Sequence, residues 1–204
     1  MSFPESPKST PHEATEAESR VQPVVTKLKS LDLGAIHDQL QGKHDLDPTV
    51  GITIINLDIP PITLGEREYH FHAAKFTTGA VVPHYHPKKG ELPGQTPVTG
   101  PDDEPYRFIT TAEMNTAPMV DGEVGEWHTQ TAEPGEVIVV PPDVVHSARD
   151  GEIIFSCPHD HLSDYDEATN AEGNRVMVAK KTKNGTMEPL LPNGVPPHYG
   201  ELGL

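Results

Sequence analysis

The chain is a succession of short apolar stretches, each closed by Gly, Pro or Asp, with no long run of helical period. Stretches that read as strands fall at 50–57, 68–76, 80–86, 106–113, 124–132, 136–141 and 152–157, and 175–180 reads as a late one. Residues 23–41 predict a strand and a short helix, and 42–49 a charged loop. Short strands without long helices between them predict an all-β chain, an antiparallel sandwich or barrel.

Polarity sets the outer limits. Residues 1–22 are polar, proline-bearing and aperiodic, and are expected to be a disordered tail. One domain then covers 23–188, with 189–204, rich in Pro and Gly, as a loosely packed irregular C-terminal tail. The stretch 87–103, PKKGELPGQTPVTGPDD, has neither strand nor helix period. It suits a lid or binding loop, or equally a tolerated surface insertion.

A length of 204 residues fits this single domain. Glycine (17) and proline (22) are abundant without any collagen-like period, which supports strands punctuated by turns. A formal charge of −16 argues against a nucleic-acid partner and against an anionic membrane surface, since both need clustered Lys and Arg. Residues 101–150 are the extreme, with eleven Asp or Glu against only Arg107 and Arg149. One cysteine, Cys157, forms no disulfide within the chain. No apolar run is long enough to span a bilayer, and the N-terminus lacks the basic start and apolar stretch of a signal peptide. A cytoplasmic location is the expectation.

Candidate chemistry gathers in two places. The first is Gly79-Ala-Val-Val-Pro-His84-Tyr-His86. Side chains alternate along a strand, so His84 and His86 face the same way, roughly 7 Å apart at the strand rise, and can converge on one ion. Alone, such a pair reads as readily as two solvated histidines. The second place is Gly135-Glu-Val-Ile-Val-Val-Pro141, a tight turn at 141–143, and a returning strand that carries His146. A histidine there can face inward and meet the first pair.

Together these resemble the two motifs of the cupin superfamily, in the right order and over about residues 68–157. The second match is the closer: Gly135, five residues, Pro141, then His146, with Asp143 where the family often has glycine. The resemblance implies a cupin jelly-roll barrel with His84, His86 and His146 lining its interior. It also implies a carboxylate ligand after the histidine pair. Glu91 has the spacing; Glu104 has the context, just before the strand PYRFITT. Glu104 is the expected ligand, because a strand holds a side chain more rigidly than a Pro/Gly loop. Tyr106 and Phe108 share its strand face and are expected to wall a substrate pocket.

Three imidazoles and a carboxylate leave open positions on a six-coordinate divalent ion. Fe(II) is favoured; Mn(II), Ni(II) and Zn(II) also suit the ligand set. The resemblance then implies a metal-dependent enzyme acting on a small organic molecule, with a dioxygenase or similar oxidoreductase as the expected class and no catalytic residue named. The alternatives are a sugar-phosphate isomerase-like cupin, loosely resembled by HYHPKKGE and by the segment from 164 to 190, and a non-enzymatic small-ligand binder. Pairing of two copies through their sheets is implied by the resemblance alone. Among the remaining histidines, His70 and His72 share a strand face and read either as proton carriers at the barrel mouth or, preferred, as an outer-face or hydrogen-bonded structural pair; His159 and His161 read as part of a polar loop rather than a second metal site, and His128 as equally inward or outward. Cys157 reads as a small buried apolar side chain.

Overall fold

In a computed structural model of the protein, residues 16–41, 43, 52–65, 67–76, 81–86, 106–111, 113–148, 151–157, 176–182 and 186–197 are described. Two helices come first, α1 (Glu16–Lys29) and α2 (Leu33–Gln41). The strand expected within 23–41 is replaced by helix, and α1 begins inside the segment read as a tail. The reason is legible in the sequence: Val21, Val24, Val25 and Leu28 recur at i, i+3, i+4 and i+7 and are all buried. Pro23 interrupts this pattern and hides it, yet it sits on the exposed side of α1. Asp32 starts α2 as its N-cap, accepting a bond from the Ala35 N–H at 3.1 Å.

Two antiparallel sheets follow. The first contains β1 (Ile52–Asn56), β2 (Ile62–Leu64), β3 (Arg67–Phe76), β5 (Arg107–Thr110), β9 (Ile138–Val140) and β11 (Gly151–Cys157), with the order β1-β3-β11-β5-β9 and β2 also on β3. The second contains β4 (His84–Tyr85), β6 (Glu113–Val120), β7 (Glu123–Val124), β8 (His128–Thr131), β10 (Val144–Ala148) and β12 (Val176–Met177), with the order β12-β4-β10-β6-β7 and β8 also on β6. A hairpin of β13 (Ala179–Lys181) and β14 (Met187–Pro189) completes the described strands. The chain is thus an all-β, double-sheet jelly-roll barrel with two helices added. The longest strand that the sequence pattern concealed is the body of β6, where Pro118 reads as a breaker; Pro118 nevertheless pairs with Val144.

Strand alternation sorts the core into three layers. On β3, Tyr69, Phe71 and Ala73 join the helices in one cluster, while Ala74 joins the cluster between the sheets. On β11, Ile154 faces the helices, and Ile153, Phe155 and Cys157 face the barrel interior. On β10, Val144 and Ala148 face that interior, while Val145 packs outward with Ala117, Val124 and Val178. The C-terminal segment closes over this outer face. Leu191 packs there, the Trp127 indole donates to the Asn193 carbonyl at 2.7 Å, and the Asn193 amide donates to the Val124 carbonyl at 3.3 Å. Residues 189–197 are therefore docked rather than loose. No described helix is long and apolar enough to cross a membrane.

Candidate metal centre

The two histidine motifs lie on neighbouring strands. His146 of β10 pairs directly with His84 of β4. Turn chemistry fixes this register. Asp143 takes a left-handed conformation (φ 60°), which Asp tolerates better than most residues; this is how it fills a position where glycine is common. From there its N–H donates to the His86 carbonyl at 2.9 Å, and its own carbonyl accepts from Met119 at 3.1 Å. At the other end the Val81 N–H donates to the Ala148 carbonyl at 2.9 Å, and the Ser147 hydroxyl donates to the Val81 carbonyl. Residues 81–86 of the first motif are thereby pinned to the second at both ends.

The three imidazoles converge. Ring centroids are 5.1 Å apart for His84 and His86, 4.5 Å for His84 and His146, and 5.2 Å for His86 and His146. One nitrogen from each lies within 4.8 Å of the others, a spacing that a single ion can bridge. His84 and His146 are buried, and His86 is partly so.

The hydrogen bonds decide which nitrogens are available. A carbonyl only accepts, so Nδ1–H of His84 donates to Val82 O at 2.8 Å, and Nδ1–H of His146 donates to Val144 O at 3.1 Å. Both rings use the carbonyl two residues back, and both keep Nε2 as a lone pair. This is the donor state a divalent cation requires, with the second-sphere acceptor that usually orients a metal-bound imidazole. Burial also holds His146 neutral: its pKa falls to about 4, lowered by desolvation and further by the Arg107 charge, against the Val144 bond. The donor set therefore fits a metal, with His84, His86 and His146 as the residues that could hold it.

The fourth ligand and the pocket wall stand differently. Glu91 and Glu104 both lie outside the described residues, as do the Lys88–Lys89 pair, His159, His161 and the segment 158–175. Tyr106 and Phe108, expected to wall the substrate pocket, face the helices instead. Phe108 is fully buried there, 5.4 Å edge-on to Tyr69, with Tyr106 packed on the same cluster. The expectation had the parity of β5 reversed, and a shift of one residue exchanges every side chain between faces. The inward set on β5 is Arg107 and Ile109, opposite Val140 and Ile138 of the inner cluster.

Arg107 is thus the site residue that the sequence reading passed over. It is buried, and its guanidinium donates to Nδ1 of His86 at 3.1 Å. A lone cation within an apolar strand was the available signal. Of the other histidines, His72 is fully buried on the inner face, bonded to the Asn56 side chain at 2.8 Å and stacked on Phe155, a hydrogen-bonded structural role. His70 is half-buried, with Glu68 3.9 Å away. His128 shares a register row with Thr116 and His146, at the exposed edge of the second sheet. Cys157 is buried in the inner cluster.

No family model and no curated protein matches the chain. Among solved structures, it is similar to KdgF from Halomonas sp., at 18% identity and a TM-score of 0.33, over 57% of this chain and 86% of that one. A recombinant oxalate oxidase in complex with glycolate gives 13% identity and a TM-score of 0.37, over 73% and 66%. Recombinant pro-11S globulin of pumpkin gives 17% identity and 0.33, over 57% and 28%. At these values the similarities carry no argument. The ground is the chain's own architecture, two histidine motifs in order on paired strands of a double-sheet barrel. On that ground the chain has the fold of the cupin superfamily.

Proposed function

We propose that the barrel binds one divalent metal through His84, His86 and His146 and uses it to act on a small organic molecule, as a dioxygenase or similar oxidoreductase. The observation that carries this reading is the convergence of three ring nitrogens, two of them already in the tautomer a metal needs. When bound, such an ion polarises an oxygen-bearing substrate or supports redox chemistry. The chain's part is positional. β4, the residue that follows it and β10 hold the imidazoles, the Val82 and Val144 carbonyls orient those of His84 and His146, and the apolar inner cluster limits competing water. Iron remains the favoured ion. Glu104 remains the proposed fourth ligand, but the face it was expected to share with Tyr106 and Phe108 turns to the helices, so Glu91 stands as its alternative.

The test is metal per chain by elemental analysis, for the purified protein and for His84→Ala, His86→Ala and His146→Ala. About one equivalent in the wild type, and at most a small fraction of that in each variant, is the expected outcome. Glu104→Gln should lose metal while Glu91→Gln retains it. Metal-dependent oxygen uptake over a panel of small organic acids and phenols would support the oxidoreductase class. Bound metal with no uptake would favour the ligand-binding alternative, and wild-type protein that takes up no metal would sink the reading.

A further inference from the structure

The hydrogen bond between Arg107 and His86 has a polarity that a metal site does not ordinarily tolerate. Arg107 is 5% exposed, and donates through one amino group to Nδ1 of His86 and through the other to the Tyr106 carbonyl, each at 3.1 Å. A guanidinium has only donors and keeps its charge. Nδ1 of His86 is therefore the acceptor, and the neutral ring carries its proton on Nε2. His84 and His146 hold the opposite tautomer, fixed by their carbonyls. The usual partner of a metal-bound imidazole is an acceptor; here it is a cationic donor.

A metal at Nδ1 would take the lone pair that Arg107 now uses. A metal at Nε2 would send the ring proton to Nδ1, where it would meet an N–H of Arg107. Both routes remove the same hydrogen bond, and a fixed positive charge beside the cluster opposes an incoming cation. We infer that Arg107 and the metal compete for His86, so that Arg107 holds metal affinity down and metal uptake breaks the Arg107–His86 hydrogen bond. This makes Arg107 a positioning residue for the third ligand, and it rests on the metal reading above.

The experiment uses metal-stripped full-length protein and Zn(II) alone, titrated against a competing chelator at neutral pH. Arg107→Gln removes the charge and offers a carbonyl acceptor to Nδ1–H; Arg107→Lys keeps charge and donor. The Gln variant should bind Zn(II) at least about tenfold more tightly than wild type, and the Lys variant within about threefold of it. A second readout needs no variant of Arg107. Nitrogen-15 NMR of the metal-free wild type, with His86 assigned by its loss in His86→Gln, should show Nε2–H at His86 and Nδ1–H at His84 and His146. Zn(II) should either move the His86 proton to Nδ1 or, by binding at Nδ1, shift the resonance of that nitrogen. Equal or weaker binding by the Gln variant would overturn the inference while leaving the metal reading intact, as would Nδ1–H at His86 in the metal-free protein. No Zn(II) uptake by wild type or variants would end both.

Discussion

At the scale of the residue, His146 links the site to the stability of the whole protein. Its imidazole ordinarily titrates at 6.5; burial, and then the Arg107 charge, push it down to about 4 in the folded chain. Between those values the unfolded chain binds the extra proton and the folded one does not. Acid therefore favours unfolding in that window, and the loss is complete once pH falls below the folded value. For one group the full effect is roughly 3 kcal/mol. Metal-free wild type should accordingly lose more stability between pH 7 and pH 4 than His146→Gln does. Urea midpoints for the two proteins across that range measure it, and parallel curves would show that His146 is not held neutral. Arg107 acts on the same residue from the opposite sheet, so one buried cation biases two of the three imidazoles.

At the scale of the element, much of the barrel was legible and its additions were not. The strands that became β1, β3, β9 and β11 announce themselves by apolar stretches between turn residues, and both histidine motifs lie where their spacing puts them. Three things hid. Pro23 and Pro118 read as breakers, yet each sits where a helix or strand absorbs it. The parity of β5 was undecidable from a strand with bulky groups on both faces, Tyr106 and Phe108 against Arg107 and Ile109. The packing of the C-terminal segment depends on partners far away in sequence. Gly194 is the clearest case. A Cβ there would lie 2.1 Å from the Val178 carbonyl oxygen and 2.9 Å from that of Leu191, both backbone atoms that have no rotamer to move. Gly194→Ala should destabilise the fold by about 1–3 kcal/mol, as overpacking does. Thermal melts would check it, and an unchanged midpoint would mean that this segment contributes little to holding the second sheet.

At the scale of the whole molecule, the barrel is clad on both sides, but unequally. Two helices cover the first sheet with a wide apolar cluster, and α2 is further fastened where His37 Nδ1–H donates to Glu152 at 2.6 Å and the Gln41 amide donates to the same carboxylate at 3.1 Å. Among the described residues, the second sheet is covered by the short segment 186–197 and a smaller cluster. This difference sets the order in which the backbone gives up its protons to solvent. Strands β3 and β11 are each paired on both sides and covered on both faces, so their amides exchange only with near-global opening. Hydrogen–deuterium exchange should find the slowest amides at Ala73, Ala74, Ile153 and Ile154; slower ones on β6 or β10 would contradict this. The histidines hang from the faster-exchanging wall. A ligand that gripped them would clamp β4 to β10 across their pairing of His84 with His146, and would lend the weaker sheet the protection that its own cladding does not supply.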